Sequence, residues 1–287
     1  MDTPANTAVN TVGILANPHY PETWALAQEI ERALDSRGMS GIRITTKEST
    51  LLEQQFDALI TLGGDGTMLR AAHLVAEHGT PILGIHMGRL GFLAEVPATE
   101  WEQSLDRIAA RKYWLEERSM LCCRLLRRGN ESGPWDALNE VVIGRGGISH
   151  VVHLATYVDG GYLSTYVADG LIIATATGST AYALSAGGPI LPPELHNMLL
   201  VPICPHLSLD RTVVLAKGAT VTIRVESAAQ GVVVVDGTER ARLEVDDEIE
   251  LTTSPHVTHF VRLYDRREVY ETLSERLKPR KVIKPHE

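Results

Sequence analysis

The chain has 287 residues, 44% of them hydrophobic and 22% charged, which is enough apolar material for one large or two medium domains. A formal net charge of -9 argues against broad binding to nucleic acid or to an anionic membrane, so anionic ligands must be met by local donors. Cys122, Cys123 and Cys204 supply neither a disulfide framework nor zinc-ligand spacing, and the start Met1-Asp2-Thr3-Pro4 lacks a basic, apolar leader. With no run long enough to span a bilayer, the expectation is a cytoplasmic protein with reduced thiols.

Taken in order, residues 12–16 read as a buried strand. Trp24, Leu26, Ala27, Ile30, Ala33 and Leu34 then recur at helical spacing until Arg37-Gly38 supplies a stop. Residues 41–44 return as strand, 51–56 suggest a short helical turn, and 58–62 form an apolar run. This run ends in Gly63-Gly64-Asp65-Gly66-Thr67, after which Met68, Leu69, Ala72, Val75 and Ala76 mark one side of a helix closed by His78-Gly79. A strand at 81–85, a second glycine-bearing loop through Gly88 and Gly91, and a helix at 99–110 complete the alternation. Such alternation predicts a three-layer α/β domain on a parallel sheet, with ligands held beyond the carboxyl ends of the strands.

Past Tyr113 the pattern turns extended. Strands are predicted at 120–126, 137–143, 151–158, 162–167, 171–174, 213–215, 220–225, 231–235, 248–251 and 257–263, interrupted by helix-like pieces at 180–186 and 193–200. The expected division is therefore an α/β domain over 1–115 and a mostly antiparallel β-sandwich over 116–265. A helix at 266–278 packs back on the first domain, and a solvated tail covers 279–287.

The turn at Asp65 carries the first chemistry. Glycines permit left-handed backbone and close approach to a ligand, and the free N–H groups of a helix start favour phosphate. Asp65 would then accept a hydroxyl proton or hold a metal ion beside the phosphates; the alternative is a carboxylate that caps the helix. No Gly-Lys-Ser/Thr follows the turn and its glycines do not match Gly-x-Gly-x-x-Gly, so neither common nucleotide motif applies.

A second stretch decides between these readings: Asp169-Gly170-Leu171-Ile172-Ile173-Ala174-Thr175-Ala176-Thr177-Gly178-Ser179-Thr180-Ala181-Tyr182, continuing into Ser185-Ala186-Gly187-Gly188-Pro189. Together with the Asp65 turn and Asn139-Glu140, it closely resembles the NAD kinase family over residues 12–262. The resemblance implies transfer of the γ-phosphoryl group of ATP, with divalent magnesium carried by ATP rather than by protein ligands, to the 2′-hydroxyl of the adenosine ribose of NAD. It makes Asp65 the catalytic base and places Gly66 and Arg70 beside the ribose and phosphates. Asn139 and Glu140 are implied to read adenine and ribose, and Asp169 to meet the nicotinamide end. Thr177, Thr180, Ala181, Tyr182, Ala183, Leu184 and Ser185 form the purine wall, while His150 and Thr238 stand where the family has further cofactor contacts. The active site is implied to lie between the two domains, and a homodimer or homotetramer is expected.

Several positions depart from the family pattern. Ala176 replaces a proline, which leaves its loop less restrained without removing a contact. His86 stands where asparagine is common, and Val167 where some members have arginine. Two other functions fit parts of the pattern: a lipid or sugar kinase sharing the Gly-Gly-Asp-Gly turn, and a sensor that binds NAD or NADP without turnover. Asn139-Glu140 and the Asp169 stretch weigh against the first, and the presence of Asp65 against the second.

Overall fold

The computed structural model describes residues 3–4, 9–16, 20–45, 55–147, 150–206, 208–227 and 230–265. The helix expected at 266–278, the tail, and most of the turn expected at 51–56 lie outside these residues. The chain divides into two compact units, one of Met1–Ala71, Thr80–Glu116 and Phe260–Glu287, the other of Ala72–Gly79 and Glu117–His259.

The elements of the first unit are β1 (Thr3–Pro4), β2 (Thr11–Ala16), α1 (Pro21–Ser36), β3 (Ser40–Thr45), β4 (Ala58–Gly63), the start of α2 (Asp65–Val75), β5 (Ile82–His86), β6 (Val96–Pro97), α3 (Trp101–Ala109) and the start of β7 (Trp114–Arg127). Parallel pairing gives the order β3-β2-β4-β5, in register at Ile14 with Ile60 and at Leu62 with Ile85. Strands β2, β4 and β5 are nearly continuous apolar runs because both faces are covered, whereas the edge strand β3 is largely half-buried and carries Arg43. Ile14, Ile60, Leu62 and Ile85 form a core with Leu26, Ile30 and Leu34 of α1 and with Leu105 and Ile108 of α3. Each such buried aliphatic side chain contributes roughly 1.5–3 kcal/mol. The alternate residues face α2: the Thr61 hydroxyl lies 2.9 Å from Met68 Sδ, and a methyl on Gly84 would come within 2.5 Å of that sulfur. Helix, sheet and helix thus make three layers, as expected. α2 starts at Asp65, three residues before the apolar spacing begins. Its first turn is set by backbone bonding, the Gly64 carbonyl accepting the Thr67 N–H at 2.9 Å, and requires no core side chain.

The second unit is built from two antiparallel sheets, as the sequence predicted for a sandwich. Its elements after β7 are β8 (Asn130–Ala137), β9 (Glu140–Arg145), β10 (Val152–Val158), β11 (Gly161–Ala168), β12 (Gly170–Ala174), a 3₁₀ turn at Gly178–Thr180, α4 (Tyr182–Ser185), β13 (Met198–Ile203), β14 (Val213–Leu215), β15 (Val221–Ser227), β16 (Gly231–Val235), β17 (Thr238–Arg242) and β18 (Glu248–Arg262), whose last three residues belong to the first unit. One sheet contains β11-β10-β15-β18; the other runs β14-β13-β12-β9-β16-β17. Val141, Ile143, Ile173 and Val233 meet Leu154, Val225 and Ile249 in the core. Ile172 and Ala174 point the other way, where Ala176, Ala183 and Leu191 cover them. Strand β12 is therefore buried on both faces.

Four expectations are corrected. The helix-like piece at 193–200 is not a helix: residues 193–197 form a turn and irregular chain, and 198–200 open strand β13, paired on both sides by β12 and β14, where sheet pairing overrides the helical spacing. Strands β8 and β17 are too polar to show as apolar runs; both are mostly exposed, and β8 pairs with β7. The two strands expected at 248–251 and 257–263 are one, β18. Its polar middle is held by Asp136, which accepts the Ser254 hydroxyl at 2.8 Å and bonds the His256 ring at 2.7 Å.

Candidate functional site

In the first unit, the turn at the end of β4 presents Asp65 as the first residue of α2. Its carboxylate does not cap the helix. Oδ2 accepts the Phe92 N–H at 2.8 Å, and Oδ1 accepts those of Leu93 at 3.0 Å and Ala94 at 3.4 Å. A methyl group on Gly91 would fall 2.2 Å from Oδ1, so the second glycine loop owes its glycine to this approach. The glycines of the first turn do not use the left-handed backbone that they permit. Gly63, Gly64 and Gly66 are absent from the positive-φ residues. Gly63 instead makes room for Thr67, whose Oγ1 would lie 2.2 Å from an added methyl, while Gly64 and Gly66 are exposed with nothing within 4 Å of where a side chain would start. The face beside Asp65 is open backbone at a helix start, a surface suited to phosphate or ribose. Arg70, one turn along, is exposed.

In the second unit, Asp236 organises the predicted adenosine residues, although the sequence marks it only as half of an Asp-Gly hairpin turn. Its side chain is 2% exposed. Oδ1 accepts the N–H groups of Asn139 and Glu140 at 2.9 Å each, and Oδ2 accepts that of Leu138 at 2.7 Å and the His73 Nε2–H at 2.8 Å. A carboxylate has no donor to offer, so His73 presents Nε2–H to it. Thr175 then stitches the second stretch to the first. Its hydroxyl donates to the Leu138 carbonyl at 2.6 Å and accepts the Gly178 N–H at 3.0 Å, while its own N–H donates to the Asn139 carbonyl at 2.9 Å. Only glycine fits at 178, where a methyl would sit 2.1 Å from the Asn139 oxygen.

This stitching brings Asn139, Glu140, Thr177, Thr180, Ala181 and Tyr182 together. Glu140 is 9% exposed. The Tyr182 backbone N–H donates to its carboxylate, yet Oε2 is buried with no hydrogen-bond partner among the described residues. Burial, and secondarily the neighbouring Asp236, push the Glu140 carboxyl up to about 7, against the pull of that N–H. The Tyr182 ring is 44% exposed and so is not a core ring. Thr177 is buried, accepting from Arg118 Nη1 at 3.1 Å, and Thr180 donates to the Thr177 carbonyl at 3.0 Å. The Ser179 hydroxyl, donating to Ala176 and accepting from Leu191, fixes the wall behind them.

The remaining predicted residues are placed differently. Ala183 points into the covering core, Leu184 is half-buried and Ser185 is exposed. Asp169 lies at the opposite end of β12 from Thr175, roughly 20 Å away by strand geometry, and pairs with Arg145 at 3.0 Å. His150 and Thr238 are exposed, Thr238 just past the left-handed pair Asp236-Gly237. His86 bonds the Gly88 carbonyl through Nδ1 at 2.7 Å, and the Val167 carbonyl accepts the His206 N–H. Among the described residues no group of three or more His, Cys, Asp or Glu side chains is placed to hold a metal ion, and no helix is long and apolar enough to cross a membrane.

Comparison with known proteins bears on both segments. A model of the ATP-NAD kinase N-terminal domain matches residues 43–113, and one of the ATP-NAD kinase C-terminal domain matches residues 138–263. The NAD kinase of Chloroflexus aggregans is 40% identical over 270 residues, covering 93% of this chain and 98% of that one. The chain belongs to the NAD kinase family. Two solved structures in this family share its fold at 25% identity. Yeast NADH kinase complexed with NADH has a TM-score of 0.81 over 97% of this chain and 91% of its own. An NAD kinase from Archaeoglobus fulgidus in complex with ATP has a TM-score of 0.75 over 93% and 98%. The first matched segment contains the Asp65 turn, and the second contains Glu140, Tyr182 and Asp236. As an NAD kinase family member the chain is a phosphotransferase.

Proposed function

We propose that this chain phosphorylates the 2′-hydroxyl of the adenosine ribose of NAD with ATP, giving NADP and ADP, and that Asp65 is the proton acceptor. As the ribose oxygen forms its bond to the γ-phosphorus, the bond to ADP breaks and the hydroxyl proton passes to the Asp65 carboxylate. Each Asp65 oxygen already accepts from the 92–94 strip. Oδ2 takes a single N–H bond and keeps a lone pair for a hydroxyl. The open backbone of Gly64 and Gly66 admits ribose and phosphate, and Arg70 is free of the core and long enough to meet a phosphate with its fork.

The observation that carries the reading is the unpartnered, buried Oε2 of Glu140 beside the exposed ring of Tyr182. A buried carboxylate oxygen without a donor is costly. A ribose hydroxyl supplies the donor, and a purine covers the ring. Asn139, Thr177, Thr180 and Ala181 offer amide, hydroxyl and backbone groups to the same purine, with Leu184 and Ser185 at its margin; Ala183 supports the wall from the core. Asp169 is assigned to the nicotinamide end, and His150 and Thr238 to outer contacts with the dinucleotide. Magnesium enters with ATP as part of that substrate. A cytoplasmic location fits the three free cysteines, and a homodimer or homotetramer is expected from membership of the family.

The test is to incubate the protein with ATP, magnesium and NAD and to read NADP with a dehydrogenase strict for it, offering diacylglycerol and a sugar phosphate in parallel. NADP formation is expected, with Asp65→Asn lowering kcat far more than NAD affinity. NAD binding without NADP would replace the reading with that of a sensor.

A further inference from the structure

Asp65 does not hold its loop alone. The 92–94 strip that donates three N–H groups to its carboxylate is gripped from behind by Arg262, whose Nη1 donates to the Leu93 carbonyl at 2.8 Å. Arg262 comes from the last residues of β18, 169 residues beyond Leu93. Its side chain is 9% exposed. Nε and Nη2 both bond Glu116 Oε2 at 2.7 Å, while Nη1 reaches Glu95 Oε2 at 3.4 Å, and the guanidinium lies 5.2 Å from the centre of the Phe260 ring. The other oxygen of Glu95 accepts the N–H groups of Leu263 at 3.2 Å and Tyr264 at 2.9 Å, tying the strand end to the segment that follows the strip.

Burial works against the Arg262 charge, and Glu116 and then Glu95 outweigh it, so its pKa is raised. Burial also pushes the Glu95 carboxyl up, because its contact with Arg262 is the longer one and does not offset desolvation. A buried ion cluster of this kind is a poor stabilising device, since packed apolar residues of similar volume often do as well or better. What it does supply here is a rigid donor at one carbonyl, and that carbonyl belongs to the central residue of the strip that orients Asp65.

We propose that Arg262 is a positioning residue for phosphoryl transfer: by fixing the Leu93 carbonyl it holds the 92–94 amides at the spacing that aims the Asp65 carboxylate. Glu116 and Glu95 act through Arg262. The proposal rests on Asp65 as the proton acceptor, and its test separates the two. A shift of about 1 Å in a reacting group can cost on the order of a hundredfold in rate, so the effect falls far more on kcat than on the KM for NAD.

The experiment uses full-length protein with Arg262→Lys and the triple variant Arg262→Met, Glu95→Gln, Glu116→Gln, which removes the buried charges together and so avoids stranding two carboxylates. Each is measured alone and combined with Asp65→Asn, for kcat, for the KM of NAD and ATP, and for amide hydrogen exchange at Phe92, Leu93 and Ala94. Expected are a kcat lower by about ten- to a hundredfold, KM values within about twofold, faster exchange at the three amides, and no further loss of kcat in the Asp65→Asn background. A parental kcat in either variant, or an equal loss of kcat on top of Asp65→Asn, overturns the role assigned to Arg262. A parental kcat in Asp65→Asn alone overturns the proton acceptor instead.

Discussion

Replacing Glu140 with Gln should make the unliganded protein more stable and a poorer enzyme, and the two effects should part company with pH. The folded protein holds this carboxyl at about 7 against an ordinary value of 4.5, chiefly through burial. A raised carboxyl binds its proton more tightly when folded. Its contribution to stability is therefore fully present below pH 4.5 and is lost as the pH rises through about 7. The gap corresponds to about 3 kcal/mol at pH 8. Gln keeps the shape and an acceptor for the Tyr182 N–H and does not titrate, so the net gain at pH 8 should approach that gap, about 2–3 kcal/mol, or several degrees in Tm. It should vanish near pH 4.5. Thermal unfolding of both proteins from pH 4.5 to 8, without ligand, measures it. NAD binding should move the other way, weaker in the Gln variant and, in the parent, weaker at pH 6 than at pH 8, with proton release on binding near pH 7 seen by calorimetry in buffers of different ionisation enthalpy. Parallel stability curves for the two proteins across this range would falsify the assignment of Glu140 as a desolvated carboxylate awaiting a hydroxyl.

Three further substitutions address separate parts of the site. Tyr182→Ala should raise the KM for NAD by roughly ten- to a hundredfold, the worth of one aromatic stack on a base, with little change in Tm because the ring is exposed; an unchanged KM removes Tyr182 from the purine wall. Gly91→Ala places a methyl 2.2 Å from Asp65 Oδ1 and should lower kcat with NAD affinity retained, measured by steady-state kinetics beside NAD titration. Asp236→Asn turns an amide donor toward one or more of the four donors now bonded to the carboxylate. It should cost about 1–3 kcal/mol of stability and raise the KM for NAD; a parental KM would show that Asn139 and Glu140 hold their places without it.

Strands β2, β4 and β5 of the first unit were legible because burial on both faces writes them as nearly unbroken apolar runs, and the Asp65 turn because a run, a glycine cluster and a helix pattern follow one another. Asn139, Glu140 and Tyr182 stand in recognisable motifs, and the structure brings them together. What holds them was not legible. Asp236 meets the 138–140 amides across 96 to 98 residues and Arg262 meets Leu93 across 169, and no local pattern reports such pairings. Thr175 stood in plain view within its motif, but its two hydroxyl bonds appear only once Leu138 and Gly178 are brought alongside. The glycines around Asp65 do not use the left-handed backbone that they permit: Gly63 spares space for Thr67, and Gly64 and Gly66 leave open backbone. Strand β8 escaped notice because an exposed edge carrying Pro134 has no apolar face to advertise.

The crowding at Gly178 has a consequence for how this protein tolerates change. A methyl there would lie 2.1 Å from a main-chain oxygen, which no rotamer can move aside. Alanine at 178 must part the segment ending in Tyr182 from the one ending in Glu140, whereas a lost hydroxyl at Thr180 leaves both in place. Loss of function by mutation should thus be more severe at a position with no side chain than at neighbours whose side chains reach for the nucleotide.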